Sequence, residues 1–382
     1  MTKEPVWYDR QIETCSFIWK CMLHTFLCKE ISPKIICFLR KRKNSSFICI
    51  LFVLFFFFSC TTPEEKGVKA IKIESAKKYV ETLAHDSLEG RRAYTEGSLK
   101  AADYIAGCLR DMGITPYKDS YFQDFKTKDS KVYENGMEYH LIPPGEIVRN
   151  VIGIIEGKDT SNYVIVGAHY DHLGKSGNQL EDSIYNGADD NASGVSAVLQ
   201  IANAFIASGE KPLNTVIFAF WDAEEMGLIG SKCFVKSFED IKRVQFYLNL
   251  DMIGRDNKDS SSQVAVVYSY TIMDQEQFFN DKIEKYRLNL EIVRDKDSIN
   301  QNFTYNFFSR YENVSKDFSM FNQNSDHAPF DKKNVSFLLF TSGLHRDYHE
   351  LTDHAEMINW EKLTDITKLS FITLYKFANI EM

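Results

Sequence analysis

The sequence predicts an α/β fold with a mostly parallel central sheet and helices on both faces of that sheet. Short apolar runs alternate along the chain with longer stretches of helical periodicity, and this alternation is typical of parallel sheets. The composition is that of a globular protein, with 44% apolar and 26% charged residues. No linker rich in Pro, Gly or Ser and no internal repeat divides residues 69–382, so we expect them to form one domain.

Two helices are predicted to open this domain. Apolar residues at helical spacing predict the first from about residue 67, and the second covers residues 101–112 before Gly113, a residue suited to a helix C-terminus. An irregular insertion is predicted over about 290–325. The remaining elements alternate: strands over 151–155 and 164–168, a helix over 194–207, a strand over 215–220, a helix around 227–238, strands over 246–250 and 264–268, a helix around 275–287, a strand over 335–340 and a closing helix near 360–379.

The charge distribution argues against nucleic acid as a partner. The chain has 45 Lys and Arg against 53 Asp and Glu, but residues 1–60 hold 9 of these bases and only 4 of the acids. The rest therefore carries a net charge of −13, which repels polyanions. Six of the eight cysteines also lie in the first 60 residues, leaving Cys108 and Cys233, so a disulfide framework is excluded.

The N-terminus is predicted to be a signal segment, residues 1–59. An uncharged apolar run over 46–58 follows four basic residues. A bilayer span needs about 20 residues, whereas a signal peptide needs roughly 7–15 after a positive flank. The run is followed by Ser59 and Cys60, which resemble the processing box of bacterial lipoproteins. We therefore expect lipidation at Cys60, a linker over 60–68, and attachment to a membrane of the bacterial cell envelope; the alternative is a short uncleaved anchor.

Polar side chains cluster where four predicted strands end and where one helix begins. In an open α/β sheet, the carboxyl ends of the strands form the crevice that binds ligands. Imidazoles and carboxylates are ligands of zinc, and a catalytic site leaves one position for water. Alone, each cluster has an ordinary structural explanation, such as a helix N-cap at the Asp-Asp-Asn segment. The clustered residues are His169 and Asp171, Asp189 to Asn191, Asp222 with Glu224 and Glu225, Asp251, and His345 with His349.

As a set, six segments resemble the co-catalytic zinc aminopeptidase family, whose relatives include bacterial leucyl-type aminopeptidases, glutamate carboxypeptidase and glutaminyl cyclases. The resemblance extends over residues 90–360, and it implies a zinc-peptidase/phosphorylase-like three-layer sandwich that binds two Zn²⁺ ions per chain. The segments are AHYDHLG (168–174), NGADDNASG (186–194), FWDAEEMGLIGS (220–231), NLDMIGR (249–255), SDHAPF (325–330) and DYHELTD (347–353).

The resemblance also implies a role for each site residue. Glu224 would be the general base, and the peptide bond between Asp190 and Asn191 would be cis. Asp326 and His327 would lie near the substrate, either behind the ligands or where they stabilise the transition state. The implied metal ligands are His169 and Asp251 for one zinc, Glu225 and His349 for the other, and Asp190 bridging both.

Physical chemistry supports these roles. A carboxylate that bridges two cations holds them about 3.5–4 Å apart, so one water can contact both and lose its proton near neutral pH. The adjacent Glu224 and Glu225 can divide the tasks of base and ligand. Asp171 follows His169 by two positions in an extended chain and can therefore hold its second ring nitrogen. His172, His345 and His354 match no ligand position, and we expect them at the surface or behind the ligands.

The sequence predicts a peptide substrate and no obligate protein partner. An exopeptidase that removes N-terminal residues fits best. Arg255 and Arg346 lie close to predicted ligands in the sequence and could bind a C-terminal carboxylate, so a carboxypeptidase remains an alternative. Two further alternatives are a glutaminyl cyclase-like acyltransferase with one zinc and a non-catalytic binding lipoprotein. No insertion the size of a protease-associated domain precedes His169, so substrate selection is expected to rest on short loops.

Overall fold

The structure is a computed structural model that describes residues 61–127, 131–134, 137–140, 142–177, 182–256, 261–269, 275–294 and 325–381. The predicted signal segment and Cys60 lie outside the described residues, as does most of the predicted insertion. Thr62–Met382 forms one compact unit. Among the described helices, none combines the length and the apolar character that a bilayer span requires.

The predicted strands and helices occur in the predicted order, together with additional short strands and two helices that were not predicted, Pro63–Ala70 and Ala328–Asp331. The described strands are β1 Thr115–Pro116, β2 Phe122–Lys126, β3 Lys131–Glu134, β4 Met137–His140, β5 Ile147–Ile155, β6 Asp159–His169, β7 Gly174–Lys175, β8 Ile184–Tyr185, β9 Asn214–Trp221, β10 Val244–Leu250, β11 Gln263–Tyr268, β12 Glu291–Arg294 and β13 Phe337–Thr341. The described helices are α1 Pro63–Ala70, α2 Ile73–Leu83, α3 Glu96–Asp111, α4 Gly194–Ser208, α5 Ile229–Ser237, α6 Glu276–Tyr286, α7 Ala328–Asp331 and α8 Trp360–Ala378.

The central sheet is parallel in its middle, antiparallel where β5 and β11 flank this part, and parallel again between β11 and β12. Its strand order is β1-β5-β9-β6-β10-β13-β11-β12, with β2 also paired to β5. Strands β9, β6, β10 and β13 are mutually parallel, whereas β5 and β11 join them in antiparallel fashion. The predicted mostly parallel sheet is therefore confirmed for the four strands at its centre.

Both faces of the sheet are covered, as predicted. Side chains of a strand point alternately to opposite faces, and β6 divides its apolar residues accordingly. Val164 and Val166 pack with helices α1 to α4 and α8, whereas Ile165 packs with α5 and α7 on the other face. Burial of each such side chain contributes roughly 1.5–3 kcal/mol. The strands that carry the candidate site therefore form a rigid platform.

Helix α1 occupies most of the segment predicted as a linker. Thr62 and Glu65 form a reciprocal capping box, in which the Glu65 amide donates to Thr62 Oγ1 at 3.2 Å and the Thr62 amide donates to Glu65 Oε2 at 3.1 Å. Glu64 binds Lys282 Nζ at 2.6 Å, which ties α1 to α6. The folded unit consequently begins at Thr62 and not at residue 69, because these caps stabilise a helix where composition alone indicated a linker.

The chain order places three strand ends around one crevice. Strand β6 lies between β9 and β10, although the chain forms β6, β9 and β10 in that order. The connection after β6 therefore leads to β9 on one side, and the connection after β9 crosses back over β6 to β10 on the other side. The two connections leave in opposite directions, which opens a crevice at the carboxyl ends of these strands.

Candidate metal centre

Three of the predicted ligands and the predicted base stand at this crevice because each one ends or follows a central strand. His169 is the last residue of β6, and it pairs with Trp221 at the end of β9. Glu224 and Glu225 follow Trp221 after a short turn, and Asp251 directly follows β10. The parallel register brings these segments to the same edge of the sheet.

The structure brings all five predicted ligands together as two groups of three. His169 Nε2 lies 3.3 Å from Asp190 Oδ1 and 3.4 Å from Asp251 Oδ1. His349 Nε2 lies 3.2 Å from Asp190 Oδ2 and 3.1 Å from Glu225 Oε2. Tetrahedral zinc with bonds of about 2.0–2.2 Å separates its ligand atoms by roughly 3.3–3.6 Å. The four distances are close to this spacing, and Asp190 contributes one oxygen to each group.

Asp190 is aimed into the crevice by the turn that precedes α4. Its peptide bond to Asn191 is cis, as the resemblance implied. Asn191 Oδ1 accepts hydrogen bonds from the amides of Gly194 at 3.0 Å and Met252 at 3.2 Å. The side-chain Nδ2 of Asn191 donates to Leu250 O at 2.9 Å. The N-cap residue of α4 is Ser193, without a side-chain capping bond, so the Asp-Asp-Asn segment does not have the N-cap role considered for it.

Glu224 shares the space beside His169 and Asp251, with its carboxylate within 4.8 Å of their polar atoms. Burial raises the pKa of Glu224 well above its usual value, and the carboxylates of Glu225 and Asp326 raise it further against the effect of His169. For Asp190 burial also favours a higher pKa, but hydrogen bonds from His169 and His349 lower it well below its usual value. Two carboxylates with opposed pKa shifts suit a division between proton transfer and permanent negative charge.

Asp171 lies beside His169 as predicted, and it also contacts the Glu224 segment. His169 Nδ1 is 3.2 Å from the backbone oxygen of Asp171 and 3.7 Å from its Oδ1. The same Oδ1 accepts a hydrogen bond from the Glu224 amide at 3.0 Å. Asp171 therefore orients the imidazole chiefly through its carbonyl, and its carboxylate fixes the turn that carries Glu224.

The segment with Asp326 and His327 is buried behind this group. Burial raises the pKa of Asp326 to about 7, while His169 opposes the shift. The His327 ring packs against Phe337 with centroids 4.6 Å apart. Ser325, which the sequence did not single out as a site residue, donates to Asp251 Oδ2 at 2.6 Å. A serine has no distinctive spacing, so only the folded chain identifies this contact.

The three histidines without a predicted ligand position differ in their surroundings. His172 is buried, with Nδ1 2.9 Å from Glu225 Oε1. His345 is also buried and lies 3.3 Å from Asp189 Oδ2. His354 lies at the surface, 3.3 Å from Asp182. Two of the three thus stand directly behind the candidate centre.

Arg91 is a buried residue of the site that the sequence analysis missed. Its guanidinium donates to the backbone oxygens of Tyr170 at 2.8 Å, Asn186 at 2.6 Å and Gly187 at 2.9 Å. These carbonyls belong to the segments that carry His169 and Asp190. Arginine is rarely buried completely, and no local pattern indicates that its partners lie far along the chain.

Replacement of Arg91 by Met is expected to lower the free energy of unfolding by at least about 3 kcal/mol, because several buried carbonyls would lose their donors at about 1–3 kcal/mol each. Arg92→Met is the matched control, since Arg92 donates to one carbonyl, Leu173 O, at 3.2 Å and also contacts Tyr94. Urea denaturation followed by circular dichroism measures both variants. Equal losses in the two variants would contradict the role given to Arg91.

Comparison with known proteins identifies the family of this chain. The model of Peptidase family M28 matches residues 150–373, more than half of the chain. Leupeptin-inactivating enzyme 1 of Streptomyces exfoliatus is 29% identical over 200 residues, which are 51% of this chain and 38% of that protein. The probable lipoprotein aminopeptidase LpqL of Mycobacterium tuberculosis is 40% identical over 113 residues, 28% of this chain and 20% of that protein. The chain thus matches well under half the length of these relatives.

Solved structures share the fold. A zinc aminopeptidase from Bacillus subtilis superposes with a TM-score of 0.60 at 17% identity, covering 81% of this chain and 96% of that chain. A glutaminyl cyclase from Bacteroides thetaiotaomicron superposes with a TM-score of 0.53 at 17% identity, covering 80% of this chain and 98% of that chain. The segment matched by the family model contains both groups of candidate ligands and Glu224. The chain belongs to Peptidase family M28.

Proposed function

We propose that this chain is a zinc-dependent exopeptidase that removes residues from the N-terminus of peptides. The observation that carries the proposal is the division of the Asp190 carboxylate between two groups of ligand atoms, with Glu224 beside them. Membership in a peptidase family and the names of the relatives support the same activity.

Two zinc ions would be held by the five residues already described. His169 and Asp251 would bind one ion, Glu225 and His349 the other, and Asp190 would contribute an oxygen to each. Bound there, zinc would polarise the scissile carbonyl and lower the pKa of the attacking water.

The protein's own groups would move the proton and hold the substrate. Glu224 would accept a proton from the attacking water and return it to the leaving amine, and its raised pKa favours retention of the proton between the two steps. Tyr348 stacks on His349 with ring centroids 3.9 Å apart and is partly buried, with 37% of its surface exposed. Burial and the nearby Asp190 raise its pKa, so its hydroxyl stays protonated and could donate to charge developing on the carbonyl oxygen.

The surroundings of Arg255 favour action at the N-terminus over action at the C-terminus. A carboxypeptidase needs a cation that is free to bind the terminal carboxylate of its substrate. Arg255 is buried and forms an ion pair with Asp347. Arg346 is exposed and lies 3.6 Å from the same carboxylate. Arg255, one of the two arginines that kept the carboxypeptidase alternative open, is thus engaged within the chain.

A panel of aminoacyl chromogenic amides tests the proposed activity. We expect turnover of several amides, loss of turnover after treatment with a chelator, and recovery when zinc is restored. Amides blocked at the N-terminus serve as controls and should not react. Cyclisation of N-terminal glutamine without amide hydrolysis, together with one zinc per chain, would instead support the glutaminyl cyclase-like alternative. No turnover of any amide by the zinc-loaded protein would contradict the proposal.

We also propose that a lipid on Cys60 anchors the protein in the bacterial cell envelope. Helix α1 begins only three residues later, at Pro63. Only Thr61 and Thr62 separate Cys60 from this helix, so the lipid would tether the folded unit through a short link.

Replacement of Cys60 by Ala is expected to move the protein from the membrane fraction to the soluble fraction, because the lipid could not be attached. Cys49→Ala, which alters the apolar run but not the predicted attachment site, is the control and should stay in the membrane fraction. Cell fractionation with immunodetection measures both. Retention of Cys60→Ala in membranes would favour the uncleaved anchor.

A further inference from the structure

A cluster of buried ionisable residues lies directly behind the candidate ligands. None of its members is a candidate ligand, and buried charges are rare unless they are paired. The cluster members, all of them buried, are Asp189, Arg255, His345, Asp347, Asp353 and Lys362.

Arg255 connects both sides of the loop that carries His349. Its Nη2 forms an ion pair with Asp347, two residues before His349, and its Nη1 lies 3.5 Å from Asp353 Oδ1, four residues after His349. Thr352 Oγ1 donates to the second oxygen of Asp347 at 2.7 Å. The guanidinium therefore contacts a carboxylate on each flank of this loop, through a hydrogen bond to Asp347 and a longer ion-pair contact to Asp353.

Asp353 connects the same loop to the Asp190 turn. Its carboxylate accepts hydrogen bonds from the amides of Asp189 and Asp190, each at 3.0 Å to Oδ2. Asp189 continues the network, because its Oδ1 accepts from the Gly254 amide at 2.6 Å and its Oδ2 lies 3.3 Å from His345 Nε2. The Asp353 carboxylate thus holds the backbone that presents Asp190, and the Asp189 carboxylate connects this backbone to the Gly254 segment.

Arg255 also belongs to the segment that follows Asp251. Lys362 Nζ binds its backbone oxygen at 2.8 Å, which fixes this segment to the start of α8. The cluster consequently ties together the three chain segments that carry Asp190, Asp251 and His349. These ligands come from distant parts of the sequence, and Asn191 adds a direct connection between the Asp190 turn and the segment around Asp251.

His349 itself needs such support. Its φ of 57° lies in the left-handed region, which is unfavourable for a residue with a side chain. Residues in such conformations persist when the surrounding structure determines their position. Buried ion pairs add little stability compared with apolar packing. A network of this size therefore indicates that these residues fix the positions of the ligand-bearing segments.

We propose that Arg255 and Asp353 are positioning residues that set the spacing between the Asp190, Asp251 and His349 ligand atoms and thereby the affinity for zinc. The proposal rests on the proposed two-zinc function and adds the elements that hold its ligands. Arg255→Lys would keep the charge but lose the fork that reaches two carboxylates, because an ammonium group acts as a point charge.

The test is zinc affinity, measured by competition with a chromophoric chelator on the folded protein. We expect Arg255→Lys and Asp353→Asn to bind zinc about 10–100-fold more weakly than the wild type, as is typical when residues behind metal ligands are replaced. Their peptidase activity should recover at excess zinc. Thr352→Val removes only the hydroxyl that binds Asp347, and it should weaken zinc binding even if the other variants fail to fold.

Glu64→Gln is the matched control, because it removes a partly buried ion pair with Lys282 that lies outside this cluster. It should bind zinc like the wild type. If the wild type binds two zinc ions and the cluster variants bind them equally well, the positioning role is wrong and the proposed function stands. If the wild type binds no zinc, or binds it without hydrolysing any amide, the proposed function itself fails.

Discussion

Replacement of Glu224 by Gln is expected to lower kcat by about 10²–10⁴-fold, the range by which general acid–base groups accelerate reactions, while zinc content stays unchanged. Glutamine has nearly the same shape but cannot accept the proton of the attacking water. Glu224 also lies outside the two groups of ligand atoms that share Asp190. Steady-state kinetics on a chromogenic amide and metal analysis of the same preparation measure the two effects.

The neighbouring residue supplies the control. Glu225 Oε2 lies 3.1 Å from His349 Nε2, within a ligand group. Glu225→Gln should therefore lose zinc as well as activity, and excess zinc should restore part of the rate. The rate of Glu224→Gln should not respond to excess zinc. Full activity in Glu224→Gln would remove this residue from the mechanism.

Replacement of Asp190 by Ala is expected to abolish the binding of both zinc ions, because its two oxygens belong to different ligand groups. His349→Ala should lose one ion and retain the other, since His349 contributes to one group only. Metal analysis after dialysis against trace zinc distinguishes two, one and no ions per chain. Loss of only one ion in Asp190→Ala would show that this carboxylate does not bridge.

The elements near the centre of the fold could be predicted from the sequence because their signals are local. Strand β6 was predicted over 164–168 and extends over Asp159–His169, so His169 was correctly placed at a strand end. The buried centre of a parallel sheet requires continuous apolar residues, which is a strong pattern. The edge strands, such as β2, carry no such pattern and were not predicted.

The supporting residues could not be predicted, because their partners are distant in sequence. Arg91 binds backbone oxygens about 80–100 residues away, and a backbone oxygen has no sequence signature. Arg255 lies close to Asp251 in sequence, which suggested a substrate contact. Its partner Asp347 is 92 residues further on. Ligand positions therefore follow from spacing and strand ends, whereas the groups that hold the ligands follow only from tertiary structure.

Anomalous diffraction from crystals grown with zinc tests the central claim most directly. Data collected above and below the zinc absorption edge locate each ion independently of any assumption about its ligands. The account predicts two peaks about 3.5–4 Å apart, one between His169 and Asp251 and the other between Glu225 and His349, with Asp190 in contact with both. A single peak, or two peaks that Asp190 does not join, would contradict it.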